Sequence, residues 1–413
     1  MQIPALFCYI LDMSEKESHK DHRDIGRELD LFSFHDVAPG TVFWHGKGMI
    51  IWRELEKYLR EKLDALGYQE TSTPVMVKKE LFEKSGHWQY YRENMFTLDV
   101  DGQTYVLKPM NCPESTLIYS SRTRSYRDLP IRLSEITDRI HRKELSGVVG
   151  GLLRVIQMTQ DDAHHYVRPD QVEEEVSDLM SLIKEFYSHF DMPMAFNLAT
   201  RPENSMGDSK VWAEAEKDLE SALKKAKVKY QIKEKDGAFY GPKIDINLTD
   251  SQNREWTVAT IQLDFQMPEK FELEYVAEDG SKKRPVMIHR AIAGTFERFI
   301  GILLEHFQGA LPLWLAPVQA VLIPVSEKQQ KSVEKILAEL KENGIRAEIY
   351  ESGETMPKRI REAELQKIPY ILVVGEKEEK NKSVNVRHKG KEDEIKVTEL
   401  IEKMKEEIKN KII

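Results

Sequence analysis

The chain has 413 residues, of which 40% are hydrophobic and 32% charged, and its formal net charge is −9. This length allows two or three domains with full cores, and without an apolar run near the ~20 residues that cross a bilayer the composition excludes a disordered or membrane-embedded protein. The acidic balance excludes a general nucleic-acid coat, and two cysteines, Cys8 and Cys112, exclude a disulfide framework and favour a reducing, cytoplasmic compartment.

The first part of the chain predicts helices between short strands. Residues 1–20 form a leader that lacks the basic start and cleavage site of a secretory signal. Apolar spacing over residues 49–66 predicts an amphipathic helix ended by Gly67, and a strand follows over 68–73, broken by Pro74.

Alternating and periodic segments continue to residue 307. The predicted strands lie at residues 93–106, 131–139 and 152–159 and near Tyr230, Ile244 and Val258, and the predicted helices at 171–190, 210–225 and 290–307. Strands grouped between helices without regular βαβ alternation favour a mixed α+β fold, with an antiparallel sheet flanked by helices.

A Gly- and Pro-containing junction over residues 309–317 separates two predicted domains, 21–313 and 314–413. The second alternates strands (318–324, 345–350, 370–375) with helices (328–343, 357–366), which predicts an α/β module with parallel strands. Its 20 basic and 19 acidic residues nearly balance, so RNA contact there would need a local patch such as residues 387–391, which is equally typical of a solvated surface.

Cys112, His164 and His289 are candidate metal ligands. One thiolate and two imidazoles suit zinc and leave a fourth coordination position for substrate. Separations of 52 and 125 residues are unlike a compact zinc motif, so a buried cysteine and two hydrogen-bonded histidines remain an alternative.

Arginines near glycines are candidates for phosphate binding. The segment 138–144, followed by Gly150, Gly151 and Arg154, predicts two arginines on adjacent strands joined by a loop, with guanidinium groups for phosphate and the Glu144 carboxylate for an adenine amino group. Gly294 to Arg298 opens an apolar helix, where the arginine could cover a base. Surface arginines beside a glycine turn, and a tight helix–strand contact, are the alternatives.

Three of these segments together resemble the signature motifs of class II aminoacyl-tRNA synthetases: Met49 to Pro74, Ile140-His-Arg-Lys-Glu and Gly294-Thr-Phe-Glu-Arg. Further motifs are similar to the threonyl-tRNA synthetase family: Asp21-His-Arg, Val42-Phe-Trp-His, Lys108-Pro-Met-Asn-Cys-Pro, Tyr126-Arg-Asp-Leu-Pro, Thr159-Gln-Asp-Asp-Ala-His, Gly237-Ala-Phe-Tyr-Gly-Pro-Lys, Ile261-Gln-Leu-Asp-Phe and Pro285-Val-Met-Ile-His-Arg-Ala. The resemblance runs from about Asp21 to the C-terminus.

The resemblance implies a threonine–tRNA ligase that activates L-threonine with ATP and transfers it to the 3′ end of tRNA(Thr). It implies one Zn²⁺ per subunit at Cys112, His164 and His289, completed by the threonine amino and hydroxyl groups. Asp162 matches the carboxylate that receives the threonine hydroxyl. Neighbouring pocket positions are matched by Gln160, Tyr240 and Gln262.

For ATP, the resemblance implies that Arg142 binds the α-phosphate and that Arg154 and Arg298 bind the nucleotide, with Mg²⁺ accompanying ATP and Glu144 on adenine. Met158 stands where family members usually stack an aromatic residue on adenine, and Ile156 stands where they have an arginine. The family's Asn-Cys-Pro-Gly-His reads Asn111-Cys-Pro-Glu-Ser here. Lys243 and His45 match positions near the adenylate and the terminal ribose of tRNA.

The α/β module is similar to the family's anticodon-binding domain, with Glu378 and Arg387 at positions that contact anticodon bases. The strand ending at Pro74 matches the motif that builds a symmetric homodimer. No editing domain is expected in cis, so serine activation is expected and a separate trans-editing protein is a potential partner. Two alternatives are a synthetase-like RNA-binding regulator, favoured by Met158 and Ile156, and a serine ligase.

Overall fold

The computed structural model describes residues 19–136, 139–143, 150–250 and 252–413. Up to residue 307, the helices in this part of the chain are α1 (His22–Glu28), α2 (Gly46–Ala65), α3 (Lys79–Ser85), α4 (His87–Tyr91), α5 (Cys112–Ser120), α6 (Val172–Ser188), α7 (Ser209–Lys225), α8 (Gln266–Lys270) and α9 (Phe296–His306). None of the helices described has both the length and the apolarity needed to cross a membrane.

The strands of the same part form one large and several small sheets. They are β1 (Phe32–Ser33), β2 (Phe43–Trp44), β3 (Gln69–Glu70), β4 (Met76–Lys78), β5 (Phe96–Val100), β6 (Gln103–Leu107), β7 (Ile131–Glu135), β8 (Arg139–His141), β9 (Gln157–Val167), β10 (Met194–Ala199), β11 (Tyr230–Lys233), β12 (Lys243–Thr249), β13 (Glu255–Asp264), β14 (Tyr275–Val276), β15 (Lys282–Lys283) and β16 (Val286–Thr295).

The large sheet has the order β11-β10-β12-β13-β16-β9-β7-β3, and β8 also pairs with β9. Its pairs are antiparallel except β10–β11 and β3–β7. Helices α2, α6, α7 and α9 bury their apolar faces in the same core as this sheet. The predicted α+β architecture is therefore confirmed.

The amphipathic helices lie where periodicity predicts them. The helix expected over residues 49–66 is α2, which buries Ile51, Leu55 and Leu59 on one face and ends before Gly67, where φ is +75°. Helices α6 and α7 match the segments 171–190 and 210–225 to within two residues.

The helix predicted over residues 290–307 is wrong in its first third. Residues 290–295 belong to β16, which lies between β13 and β9 and is buried over its first eight residues. Burial on both faces hides the two-residue alternation, so the sequence pattern does not distinguish this strand from a buried helix. Near the end of β16, Gly294 has φ +64°, and a Cβ there would lie 2.6 Å from the Val258 carbonyl oxygen, so the chain can turn towards α9 at this point only with glycine.

Two strand predictions are also corrected. The strand expected at 152–159 begins only at Gln157 and continues to Val167, because the chain turns at Gly150 and Gly151 before it enters the sheet. The strand expected at 93–106 is a hairpin of β5 and β6 with its turn at Asp101 and Gly102, both at positive φ.

The C-terminal part forms a separate sheet with helices on both sides. Its helices are α10 (Gln330–Glu342), α11 (Met356–Leu365), α12 (Glu376–Asn381) and α13 (Val397–Lys409), and its strands are β17 (Ala320–Pro324), β18 (Ala347–Ile349), β19 (Tyr370–Val374), β20 (Ser383–His388) and β21 (Lys391–Lys396). The first three strands are parallel, as predicted. Two further strands, β20 and β21, were not predicted; they pair antiparallel, so the complete sheet is mixed.

The basic segment 387–391 is the tip of the β20–β21 hairpin. Lys389 and Gly390 both have positive φ, +48° and +73°, as a two-residue type I′ turn requires. The charged residues had masked a hairpin signal, since lysine is uncommon at such a position.

A fully buried ion pair joins two neighbouring strands of the large sheet, β9 and β16. Arg290 of β16 pairs with the Asp161 carboxylate of β9, and its guanidinium lies 5.0 Å from the ring centre of Tyr68. The other Asp161 oxygen accepts the backbone N–H groups of Ile292 and Ala293, at 2.8 and 3.1 Å. The pair thereby fixes the irregular end of β16.

We expect Arg290→Met to lower the free energy of unfolding by about 3–5 kcal/mol, because it leaves the Asp161 charge buried without its partner. Urea denaturation followed by circular dichroism measures the change. Lys358→Met, which removes a cation from an exposed pair with Glu354, is the matched control and should shift stability by no more than about 0.5 kcal/mol. Equal stability of the two variants would contradict this role of the pair.

Candidate metal and substrate site

The strand register aligns four polar side chains across the large sheet. Lys243 lies opposite Gln262, Gln262 opposite His289, and His289 opposite His164. Asp162 lies two residues before His164 and therefore on the same face of β9. Four strands thus contribute to one polar surface on the sheet.

The structure brings the three candidate metal ligands together. Cys112 is the first residue of α5, His164 lies in β9 and His289 in β16. Their ligand atoms all lie within 4.8 Å of one another, and all three residues are buried. Ligand atoms around tetrahedral zinc lie about 3.5 Å apart, given bond lengths of about 2.0–2.3 Å, so small side-chain rotations would close the site.

Burial sets the protonation states of these ligands. Burial raises the pKa of the Cys112 thiol well above its usual value, and the nearby Asp162 and Asp264 carboxylates act in the same direction. Burial lowers the pKa of His164 well below its usual value, assisted by His289. The imidazole is thus in its ligating neutral form, while the thiol requires a bound cation to lose its proton.

Asp264 orients His289. Its Oδ2 lies 2.9 Å from His289 Nε2, and its Oδ1 accepts the backbone N–H groups of Gln266 and Met267. A histidine whose Nε2–H is donated to a carboxylate presents Nδ1 as a lone-pair donor, the arrangement common behind metal-bound histidines. Tyr240 stacks on the same imidazole, with ring centres 4.8 Å apart. The residues present therefore fit a zinc ion.

His87 is a site residue that the sequence reasoning missed. Its Nε2 lies 3.7 Å from Cys112 Sγ, and its Nδ1 lies 2.7 Å from Ser85 Oγ. Complete burial lowers the pKa of His87 to about 3, so the ring is neutral. The only sequence signal was its place directly after a glycine, Gly86, which in the structure has φ +86°.

The departure from the family pattern after Cys112 places a carboxyl group in the interior. Glu114 is buried in α5, and among the described residues neither of its oxygens has a hydrogen-bond partner. Burial raises the pKa of Glu114 to about 8, so it is protonated at neutral pH. The adjoining Ser115 Oγ lies 2.9 Å from Tyr166 Oη.

The predicted amino-acid-binding residues lie on the same face as the three candidate metal ligands or next to them. Burial raises the pKa of Asp162, although its Oδ2 accepts a hydrogen bond from Asn111 Nδ2 at 3.1 Å. Burial also raises the pKa of Tyr240 well above its usual value, so its hydroxyl stays protonated and donates to Gln262 Oε1. Gln160 lies on the same face of β9, opposite Thr295.

Lys243 and His45 lie in different surroundings. Lys243 lies at one end of the four polar side chains aligned across the sheet, and its Nζ binds Asp245 Oδ2 at 2.5 Å. His45 precedes α2, where its Nδ1 lies 2.6 Å from Asp30 Oδ1 and its Nε2 lies 2.9 Å from Ser33 Oγ. Asp30 and Ser33 lie at or just before β1 and outside the large sheet, so the structure does not bring His45 together with the candidate metal ligands.

Arg142 and Met158 contact each other on the β8–β9 hairpin. Arg142 follows β8, and its Nη2 lies 3.1 Å from Met158 Sδ, which is buried. Arg154 lies in the turn before β9, where it bridges to Gly150. Glu144 lies outside the described residues.

Arg298 and Glu297 begin α9 and reach back to this hairpin. Arg298 Nε donates to the Leu153 carbonyl at 3.0 Å, next to Arg154. Glu297 is fully buried and accepts the N–H of Thr159, the residue after Met158, at 3.1 Å. Burial raises the pKa of Glu297 to about 7. Sequence reasoning missed Glu297, although it precedes Arg298 directly.

The two predicted anticodon residues lie in the C-terminal part, on different elements. Glu378 caps α12 through a hydrogen bond from the Gly375 N–H at 2.9 Å. Arg387 of β20 pairs with Glu392, directly opposite on β21. A cavity of about 500 Å³ extends from this hairpin to the segment after α9 and is lined by Arg387.

Two family models match the chain. Residues 96–307 match the tRNA synthetase class II core domain (G, H, P, S and T), and residues 319–407 match an anticodon binding domain. The first match includes the four aligned polar side chains, the candidate metal ligands and the three arginines predicted to bind ATP. The second covers nearly all of the mixed sheet.

Similar proteins agree with these matches. The threonine–tRNA ligase of Caldanaerobacter subterraneus subsp. tengcongensis is 51% identical over 98% of this chain, and that of Carboxydothermus hydrogenoformans is 50% identical over 97%; the chain spans 63% of each relative's length. A crystal structure described as the RNA binding domain of threonyl-tRNA synthetase from Cryptosporidium parvum Iowa II has a TM-score of 0.90 at 38% identity, covering 94% of this chain and 98% of that one. ThrRS-1 of Aeropyrum pernix, described as a putative threonyl-tRNA synthetase, has a TM-score of 0.81 at 28% identity, covering 95% and 97%.

We expect Asp264→Asn to weaken zinc binding about 10- to 100-fold. The substitution removes the negative charge that orients the His289 ring and strengthens its other nitrogen as a metal ligand. Zinc affinity is measured by competition with a chromophoric chelator. Asp279→Asn, the same change at an exposed turn, is the control and should bind zinc like the native chain. Native affinity in the Asp264 variant would show that His289 needs no such support.

Proposed function

Because this chain belongs to the class II aminoacyl-tRNA synthetases, within the threonyl-tRNA synthetase family, we propose that it is a threonine–tRNA ligase. It activates L-threonine with ATP, forming threonyl-adenylate and pyrophosphate, and then transfers threonine to the 3′ end of tRNA(Thr). The observation that carries this proposal is the convergence of Cys112, His164 and His289 beside Asp162.

Asp162 is the group that reads the threonine hydroxyl. It is buried, and its Oδ1 lies 3.8 Å from His164 Nε2, so a hydroxyl bound between them would satisfy a carboxylate that burial otherwise penalises. Valine has the same shape without that hydroxyl and would bring no hydrogen-bond donor to Asp162 Oδ1. Such a site rejects the analogue that lacks a hydroxyl far more strongly than an apolar pocket can.

We propose that Cys112, His164 and His289 hold one zinc ion per subunit. When bound there, zinc supplies Lewis-acid coordination of the threonine amino and hydroxyl groups. Asp264 keeps His289 in the ligating tautomer, and Tyr240 covers the imidazole face. Tyr240, Gln262 and Gln160 then border the bound amino acid.

The arginines act on ATP in the activation step. A threonine carboxylate oxygen forms the bond to the α-phosphorus while the bond to the bridging oxygen of pyrophosphate breaks. Arg142 stabilises the charge that develops on the α-phosphate, and Arg154 and Arg298 bind the remaining nucleotide with Mg²⁺. Met158 packs on adenine beside Arg142, since its thioether adapts to a flat ring.

Transfer uses the C-terminal module to select the tRNA. We propose that residues 21–313 form the catalytic domain and 314–413 the anticodon-binding domain, in which Glu378 and Arg387 contact anticodon bases. The two cores share the junction: Leu313 packs in the core of the C-terminal sheet, whereas Trp314 and Leu315 pack in the core of the larger part. The terminal hydroxyl of tRNA attacks the threonyl carbonyl and AMP leaves, with Lys243 and His45 assigned to the adenylate and terminal ribose. As a translation reaction, this is proposed to occur in the cytoplasm.

A homodimer is proposed from two open surfaces near Pro74. Strand β3 is the edge strand of the large sheet, with exposed residues. Directly after Pro74 the chain enters the sheet β4-β6-β5, which exposes Met76, Leu98 and Val100 by 48%, 41% and 40%. An edge strand followed along the chain by an apolar patch favours pairing with a second copy about a two-fold axis.

Serine is the amino acid that this site excludes least. It retains the amino and hydroxyl groups and lacks only one methyl, a difference of about 1–3 kcal/mol. We therefore propose that serine is activated too. Hydrolysis of the resulting Ser-tRNA then belongs to an editing activity outside this site, including that of a separate protein acting in trans.

We expect zinc-loaded protein to catalyse ATP–pyrophosphate exchange with threonine, with serine about 10- to 200-fold less efficiently, and with valine at background. The order follows from the hydroxyl and methyl groups each amino acid offers. The measurement is the rate of labelled pyrophosphate incorporation into ATP against the concentration of each amino acid.

Cys112→Ser tests whether the metal carries this selection. The variant should lose zinc, measured by atomic emission, together with threonine-dependent exchange, whereas Cys8→Ser makes the same chemical change at the other cysteine and should retain both. Full activity in Cys112→Ser would contradict the metal assignment. No exchange with any amino acid by folded, zinc-loaded protein would contradict the ligase and favour an RNA-binding regulator.

We expect the double substitution Met76→Glu and Leu98→Glu to weaken dimerisation at least tenfold, since it places charges in the apolar patch of the proposed interface. Sedimentation velocity over a range of concentrations measures the dimer dissociation constant. Ile232→Glu, at an exposed position on the opposite edge of the large sheet, is the control. A dimer unaffected by the double substitution would place the interface elsewhere.

A further inference from the structure

The histidine of the Asp21-His-Arg motif lies inside the catalytic part rather than on its surface. His22 is 2% exposed, and its backbone N–H donates to Glu305 Oε1 at 3.2 Å. The same oxygen lies 2.6 Å from His22 Nδ1, and the N–H of Leu152 donates to His22 Nε2 at 2.9 Å. Since Nε2 accepts, Nδ1 carries the proton and donates it to Glu305.

The contact with Leu152 requires the glycine before it. Gly151 has φ +56°, and a Cβ there would lie 2.0 Å from His22 Nε2. Any other residue would therefore push the imidazole away from the backbone that it holds. The glycine pair that looked like a flexible turn is at this position a close-contact requirement.

Glu305 is itself fixed from its other side. Its Oε2 pairs with Arg254, whose Nε binds Asp250 Oδ2 at 2.6 Å. Asp250 Oδ2 also accepts the indole N–H of Trp256 at 2.8 Å. His22 thus stands on an anchored carboxylate, so it can hold Leu152 in a defined position.

The residue after Leu152 is held from the opposite direction by a nucleotide-binding candidate. Arg298 Nε donates to the Leu153 carbonyl at 3.0 Å, and Arg298 also lies over the Trp256 ring at 5.9 Å. At Gly301 of α9, a Cβ would lie 3.0 Å from the Leu153 side chain. The segment Leu152–Leu153 therefore lies between His22 and α9, directly before Arg154.

Asp21, His22 and Glu305 also have ligand atoms within 4.8 Å of one another, a spacing that could suit a cation. Both nitrogens of His22 are already engaged, one as acceptor from Leu152 and one as donor to Glu305. The geometry therefore indicates a backbone clamp rather than a metal site.

We propose that His22 is a positioning residue for ATP: it fixes Leu152–Leu153, and through them the guanidinium groups of Arg154 and Arg298. His22 does not touch the nucleotide. The inference rests on the proposed function, because it assigns His22 to the nucleotide half of that site.

The test compares three variants of the zinc-loaded protein. His22→Ala should raise the KM for ATP in threonine-dependent exchange about tenfold, and leave the KM for threonine and the zinc content within about twofold, because the clamp acts on the nucleotide side alone. His22→Gln, whose amide can accept from Leu152 and donate to Glu305, should restore most of the loss. Arg27→Ala, at an exposed position on the same helix, is the control.

Two further measurements separate positioning from folding. Hydrogen exchange should be faster at the Leu152 amide in His22→Ala than in the native chain, while the amides of β13 and β16 in the large sheet exchange as slowly as in Arg27→Ala. A native KM for ATP in His22→Ala overturns the proposal. So does an equal loss of ATP affinity, threonine affinity and thermal stability without rescue by glutamine.

Failure of the proposed function is recognised separately. If the native chain shows no exchange with any amino acid, calorimetric titration with ATP decides the role of His22. Weaker ATP binding by His22→Ala than by Arg27→Ala supports the clamp, and equal or undetectable binding in both the native chain and the variants overturns it.

Discussion

The pairing of β9 with β16 is the constraint on which the site depends. In that register His164 lies directly opposite His289, and Asp162 lies opposite Ala291. A shift of β9 by one residue would turn His164 and Asp162 to the opposite face of the sheet, away from His289, and so would separate the candidate metal ligands. The register is fixed from behind by the buried Asp161–Arg290 pair, whose members alternate with Asp162 and His289 along the two strands. One face therefore carries the chemistry, and the other carries the ion pair that holds it in place.

Burying this site without bound ligands costs free energy, because burial penalises the charged forms of its side chains. Cys112, Asp162 and His164 all have pKa values shifted by burial towards their neutral forms. The cost falls on the charged forms of Cys112 and Asp162, and a divalent cation or an ammonium group bound beside them would offset it with positive charge. His164 is already in the neutral form that binds a metal. In the proposed ligase, binding of the amino acid here would recover this free energy, and an amino acid without a hydroxyl would recover less of it.

The sequence predicts those elements whose two faces differ in environment. Helices α2, α6 and α7 lie with one face on the core and one in solvent, so their period is visible. Strand β16 is buried on both faces, so residues 290–295 gave no strand signal. For the site, separations of 52 and 125 residues could not by themselves join Cys112, His164 and His289; the family resemblance did. His87, Asp264 and Glu297 were missed because they act through contacts that only the folded chain creates.

Strand β9 also connects the two halves of the proposed substrate. Met158, Gln160, Asp162 and His164 alternate along one face of it, from the arginine hairpin to the metal group. At about 3.3–3.4 Å per residue, the six residue-to-residue steps from Met158 to His164 span ~20 Å. In the proposed reaction, an extended aminoacyl-adenylate would have its adenine at the Met158 end and its amino acid at the His164 end. The strand is anchored at both positions, by Glu297 at Thr159 and by Arg290 at Asp161, so the distance between nucleotide and amino acid is set by a single rigid element.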